Sequence, residues 1–165
     1  MIRDKILDST GLKEIEDAIK TVPWYINPNK VRKGDNNECF CNLAYSGHRP
    51  TSEVFDLISL YFSMPLDVVA WWRIRLCITW KEPTKRLYGY HTDYDNDPNY
   101  EKYKHMKTAL YYLSDTNGPT IFEKTGKEVE CVKNRLLVFP AYERHSGITH
   151  TEGDNKRIVI NFNYF

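Results

Sequence analysis

The sequence predicts a mainly β fold with N-terminal α-helices: a jelly-roll, cupin-like barrel standing behind two helical segments. Three observations predict it. Apolar residues recur at helical spacing only in the first part of the chain, the rhythm changes to period two from Trp71 onward, and turn-forming clusters separate the later segments.

The first helix is expected behind Ser9-Thr10-Gly11, where Leu12, Ile15, Ile19 and Val22 fall on one helical face. Pro23 closes it, because proline has no N–H for the next helical bond. Val54, Ile58 and Tyr61, with Phe55 and Phe62, make a second apolar stripe after Pro50-Thr51-Ser52 that stops near Met64-Pro65. Both stripes read as core-facing surfaces. At Trp71 the pattern changes: Trp72, Ile74, Leu76, Ile78 and Trp80 alternate with Arg73, Arg75 and Thr79, as in a strand with one buried face. Further strands are expected at 87–93, 107–113, 120–123, 128–132, 135–139 and 157–165. Turn chemistry at Asp115-Thr116-Asn117-Gly118, Lys124-Thr125-Gly126, Lys133-Asn134 and Gly153-Asp154-Asn155 divides them. Residues 94–105 show no period and read equally as a lid or as a solvated connection.

The 165 residues suit a single domain, with 1–70 a helical support region and 71–165 the barrel core. Twenty-three basic and twenty-two acidic side chains leave a net charge of +1, so no global field draws nucleic acid or an acidic membrane. No segment approaches the ~20 apolar residues of a membrane helix. No secretory pattern opens the chain either, so a cytoplasmic protein is expected. Cys39, Cys41, Cys77 and Cys131 are then expected as free thiols. Cys39-Phe40-Cys41 has no matching second pair and reads as small apolar strand residues.

The chemistry concentrates in His91-Thr92-Asp93. On a strand, residues i and i+2 point the same way, so His91 and Asp93 converge while Thr92 faces away. A third ligand must come from elsewhere, and His145 and His150 are the candidates. His145 follows the apolar run Leu136-Leu137-Val138-Phe139 and precedes Ser146-Gly147, so it falls near a strand end. It stands twelve residues before Arg157, room for a hairpin, whereas His150 stands only seven before it. His145 is therefore expected in the site. Two imidazoles and one carboxylate on one face of a divalent metal leave the other positions open, the arrangement of non-haem Fe(II) oxygenases. Arg157 shares a face with Val159, Asn161 and Asn163, and the alternate face of Ile158, Ile160, Phe162 and Tyr164 is expected under the helices. A polar face inside a barrel implies a pocket, and a guanidinium there suits a remote carboxylate or a structural ion pair.

This order of H-x-D, distal His and Arg resembles the 2-oxoglutarate and Fe(II) dependent dioxygenases, in particular their prolyl 4-hydroxylase-like branch. The resemblance runs from about Trp71 to the C-terminus. It includes Leu110-Tyr111-Tyr112-Leu113 with the turn after it, Phe139-Pro140 ahead of His145-Ser146-Gly147, and Arg157-Ile158-Val159-Ile160-Asn161-Phe162. It implies a double-stranded β-helix in which His91, Asp93 and His145 ligate catalytic iron. The 2-oxoglutarate cosubstrate chelates that metal through its 1-carboxylate and 2-keto oxygens, its far carboxylate held by Arg157 and Tyr111. Asn161 is implied as a further cosubstrate contact, and Tyr88 either lines the substrate side or fills the core. The implied reaction consumes O2, decarboxylates 2-oxoglutarate to succinate and CO2, and hydroxylates an unidentified peptide, protein or small molecule. Gly118-Pro119 stands where the family often has a glycine pair. Two rival readings remain at this point: a zinc hydrolase, which leaves Arg157 and Tyr111 without a role, and a non-catalytic jelly-roll binding module.

Overall fold

The computed structural model describes residues 1–28, 37–94 and 100–165. In chain order its elements are β1 (Ile2–Asp4), α1 (Ser9–Thr21), β2 (Tyr25–Asn27), β3 (Cys39–Ser46), β4 (Arg49–Pro50), α2 (Val54–Leu66) and β5 (Trp71–Trp80). There follow β6 (Lys107–Tyr112), β7 (Thr116–Phe122), β8 (Glu128–Cys131), β9 (Arg135–Pro140), β10 (His145–Gly147) and β11 (Lys156–Tyr164).

Both helices form where the apolar spacing places them. Asp8, one residue before the expected start, caps α1 by accepting the Gly11 N–H at 2.8 Å. Gly11 also sets how near the helices approach, since a Cβ there would lie 2.7 Å from the Tyr61 ring. Pro65 is accommodated in the last turn of α2, and Asp67 ends the helix in the left-handed region at φ 54°, its N–H donating to Met64 O. Among the described residues, no helix is long and apolar enough to cross a membrane.

The strands form two antiparallel sheets. The larger runs β1-β9-β6-β11-β5-β3-β2, with β4 paired to β3, and the smaller runs β10-β7-β8. Alternation along the larger sheet gives each face a different neighbour. Ile74, Leu76, Ala109, Tyr111, Ile160 and Phe162 pack against Ile15, Ile19, Ile58 and Phe62 of the helices. Each such fully buried large side chain contributes about 1.5–3 kcal/mol. The opposite face sends Leu110, Tyr112, Leu137, Phe139 and Val159 against Phe122, Val129 and Cys131 of the smaller sheet. Helices, large sheet and small sheet thus stack as three layers.

Three differences from the sequence reading have physical causes. Apart from the strand residues read at Cys39-Phe40-Cys41, strands were expected from Trp71 on, yet β1 and the full length of β3 extend the larger sheet before that point, pairing with β9 and β5. The expected strand at 87–93 reduces to two bridges, Leu87 with Ile148 and His91 with His145, because Gly89 at φ 117° breaks the extended run. β10 is only three residues long, too short to carry a period. None of the four cysteines, Cys39, Cys41, Cys77 and Cys131, is in a disulfide.

Candidate metal centre

The two histidines face each other across a bridge. His91 N–H donates to His145 O and His145 N–H donates to His91 O, both at 3.0 Å, which fixes the two backbones in register. Their ring centroids stand 4.7 Å apart. Each Nδ1 lies against a backbone carbonyl, Gly89 O at 3.2 Å for His91 and Glu143 O at 3.0 Å for His145. A carbonyl only accepts, so Nδ1 carries the proton in both rings and each Nε2 keeps a lone pair free for a metal. Burial, then the neighbouring His145, pushes His91 down to about 4, leaving it neutral and ready to ligate near pH 7. Asp93 completes the group: one ligand atom from each of His91, Asp93 and His145 lies within 4.8 Å of the others.

Asp93 reaches this place two residues after His91 and is held there by four side chains. Its side chain is 1% exposed. Oδ1 accepts from Arg73 at 3.1 Å and from Asn161 at 3.2 Å, and Oδ2 from Thr108 at 2.7 Å and Asn163 at 3.0 Å. Arg73 is itself braced, its Nε donating to Asn163 Oδ1 at 3.0 Å. Burial works against the ionised carboxyl, but His145, Arg73 and His91, with the Thr108 bond, hold it well below the usual carboxylate range. Asp93 is therefore an anion with a fixed orientation. The sequence reading missed Arg73, Thr108 and Asn163. Their shared signal is strand parity, since register pairs Arg73 with Asn163 and Asn163 with Thr108 across neighbouring strands.

Arg157 opens the cavity-facing row of β11 and is buried at 6% exposure. Its Nε donates to Gly118 O at 3.0 Å and its Nη2 to Thr120 Oγ1 at 3.2 Å. The guanidinium carbon sits 5.5 Å from the Tyr112 ring centroid. Gly118 matters here, because a Cβ would come 2.7 Å from Ile148 O and displace the carbonyl that Arg157 uses. Among the described residues no carboxylate pairs with Arg157, so the structural ion pair left open by the sequence is not made. The same cavity is lined by His91, His145, Arg157 and Asn161.

The expected Tyr111 does not join this group. It lies on the helix-facing side of β6, its ring 4.8 Å from Phe62 and its hydroxyl donating to Asn134 at 2.9 Å. Register explains this: Tyr111 pairs with Ile160, and Tyr112 pairs with Val159 on the side of Arg157. Tyr112 is the tyrosine near the arginine, donating to Thr120 Oγ1 at 2.8 Å. Asn161 is in the cavity wall but spends its amide N–H on Asp93, and its Oδ1 is buried without a partner. Tyr88 packs against Gly147 beside Arg157, where a Gly147 Cβ would lie 3.3 Å from its ring. His150 stays out of the metal group, fully buried with Nε2 against Asp154 O at 3.0 Å. The proposed lid at 94–105 lies partly outside the described residues; within them, Tyr94 stacks on Tyr103 at 5.1 Å.

No protein-family model matches the chain, and no curated protein matches it in sequence. Solved structures do. An oxidoreductase of the 2OG-Fe(II) oxygenase family from Burkholderia pseudomallei aligns with a TM-score of 0.71 at 15% identity, over 99% of this chain and 84% of that one. A prolyl hydroxylase from Trichoplax adhaerens, in complex with a hypoxia inducible factor peptide fragment, aligns at 0.66 and 15% identity, over 100% and 82%. The viral collagen prolyl hydroxylase of Paramecium Bursaria Chlorella virus-1, in its 2OG complex, aligns at 0.64 and 18% identity, over 99% and 94%. At these identities the likeness is one of fold, and the fold is that of solved 2OG-Fe(II) oxygenases, prolyl hydroxylases among them.

Proposed function

We propose that the chain is a 2-oxoglutarate- and Fe(II)-dependent oxygenase that hydroxylates a substrate C–H bond with release of succinate and CO2. Its two sheets are then the walls of a double-stranded β-helix, carried by one domain over 1–165. One observation carries the reading: two imidazoles and an anionic carboxylate converge at a cavity that also holds a guanidinium with no carboxylate partner among the described residues. The donor set suits Fe(II), since imidazole and carboxylate together leave facial positions open.

Bound there, the iron and 2-oxoglutarate would supply the oxidising chemistry with O2; the chain supplies position and charge. His91, Asp93 and His145 hold the metal. Arg73, Thr108, Asn161 and Asn163 fix Asp93 so that its orientation does not relax when a ligand enters. Arg157, with Thr120 and Tyr112 beside it, takes the far carboxylate of the cosubstrate, a charge-assisted contact strengthened by burial. The substrate is a peptide, protein or small molecule.

The test is optical. Anaerobic Fe(II) and 2-oxoglutarate added to the protein should give a weak visible metal-to-ligand charge-transfer band, and His145→Ala should abolish it. A wild-type protein that shows no band and binds no 2-oxoglutarate overturns the reading.

A further inference from the structure

Two guanidinium groups line the cavity, and the reaction as described uses only Arg157. The second is Arg75 of β5. Alternation along β5 puts Arg73, Arg75, Cys77 and Thr79 on the cavity side, and register sets Arg75 opposite Asn161 of β11. Among the described residues its buried Nε has no hydrogen-bond partner and Arg75 forms no ion pair.

Among the described residues no hydrogen bond or ion pair joins Arg75 to Asp93, whose carboxylate is held by Arg73, Asn161, Thr108 and Asn163. Arginine stays charged in proteins, and a buried charge stripped of its partner costs several kcal/mol. An arginine held this way beside a metal-binding group is built to meet an anion.

Position narrows the anion. Thr79 pairs with Arg157 as Arg75 pairs with Asn161, so the two arginines stand four positions apart along the sheet. That is roughly 13 Å between backbones, which two long side chains reaching inward shorten to the span of a small dianion. The Arg75 end is the metal end, because Asn161 opposite it donates to Asp93. The asymmetry between the arginines is informative too. Arg157 has Nε and Nη2 satisfied by the protein, whereas the Arg75 Nε has no partner.

We propose that Arg75 is a positioning residue that binds the metal-proximal 1-carboxylate of 2-oxoglutarate, so that the chain grips the cosubstrate at both charged ends. The inference rests on the oxygenase reading above and adds to it. The 1-carboxylate oxygen that does not face the metal accepts from Arg75, while Arg157 holds the other end. The unpartnered Nε then has its acceptor, and the keto acid is oriented before O2 arrives.

The experiment compares two ligands on the anaerobic Fe(II)-loaded protein. 2-Oxoglutarate is titrated by its charge-transfer band, and 4-oxopentanoate, which keeps the ketone and far carboxylate but has a methyl in place of the 1-carboxylate, is titrated by displacing it. Arg75→Met should weaken 2-oxoglutarate roughly 10- to 100-fold, the loss of charge-assisted hydrogen bonds, and leave 4-oxopentanoate within about twofold of wild type. Arg75→Lys should recover part of the affinity. Arg157→Met should weaken both ligands, and unchanged affinities in that variant would remove Arg157 from its assigned role. An Arg75→Met protein with unchanged 2-oxoglutarate affinity, or with equal losses for the two ligands, overturns the proposal. Either result leaves the oxygenase reading standing, because the wild-type band tests that separately.

Discussion

The two faces of the larger sheet are made by the same strands and do opposite work. On the helix side Ile74, Leu76, Tyr111, Ile160 and Phe162 are fully buried, and the Phe62 ring meets Tyr111 at 4.8 Å and Phe162 at 4.9 Å. On the cavity side Arg73, Arg75, Thr108, Arg157, Asn161 and Asn163 bring charge and amide groups into a largely enclosed space, with Arg73 and Arg75 partly buried and the other four buried. The first face is filled by shape, and its stabilisation scales with apolar area. The second is held by direction, because each enclosed polar atom must find a partner or cost free energy. Two that find none, Arg75 Nε and Asn161 Oδ1, lie on the cavity side. A step of one residue along β11 therefore separates what packs the core from what lines the candidate site.

If that division is real, the largest single-residue effect on stability belongs to the helix face. Phe162→Ala removes a fully buried ring at the junction of α2, β5 and β11, and should lower unfolding stability by about 3–5 kcal/mol. Urea denaturation measures this. The protein that remains folded should bind Fe(II) and 2-oxoglutarate with wild-type affinity; a tenfold loss there would break the division. Arg73→Met acts on the other face with a smaller effect of a different kind. It takes one donor from Asp93 and leaves three, so Fe(II) affinity should fall roughly 10- to 100-fold, the usual range for a residue that orients a metal ligand. Equilibrium metal titration against a competing chelator reads the change, and unaltered iron affinity would show that the network only fills space.

The sequence made the same division legible to a point. His91 and Asp93 stand two apart, so their convergence needs nothing beyond extended backbone, and the alternation at 157–164 correctly separates Arg157 and Asn161 from the apolar residues under the helices. His145 was separable from His150 by its place after the apolar run 136–139 and by its distance from Arg157. What the sequence could not carry is pairing between strands. Arg73, Thr108 and Asn163 meet at Asp93 only because the sheet order places β11 between β5 and β6, and no local pattern encodes that order. The small sheet was harder still: β10 has three residues, and its partner at 87–91 is interrupted by Gly89. β3 was legible only at Cys39-Phe40-Cys41, because its pairing with β5 supplies what the rest of its pattern does not.

Tyr111 and Tyr112 give the finest test, because neighbouring identical side chains differ only in which way the strand turns them. A motif can point to this strand and still leave two tyrosines to choose from; the register of β6 with β11 places Tyr112, not Tyr111, on the side of Arg157. The Tyr112 hydroxyl donates to Thr120 Oγ1, the atom that also accepts from Arg157, so Tyr112→Phe loosens the support of the guanidinium. One neutral hydrogen bond is worth about 0.5–1.5 kcal/mol, which predicts a loss of roughly two- to tenfold in 2-oxoglutarate affinity. Tyr111→Phe removes a bond to Asn134 Oδ1, which still accepts from Leu7 N–H at 3.0 Å. It should cost about 1 kcal/mol of stability or less and leave cosubstrate affinity unchanged. The two variants, titrated side by side by the charge-transfer band, should therefore part: weaker cosubstrate binding in Tyr112→Phe and unchanged binding in Tyr111→Phe. A weakened cosubstrate in Tyr111→Phe with none in Tyr112→Phe would mean that β6 presents the opposite face to the cavity, and the separation of packing from chemistry would fail at the strand where it is narrowest.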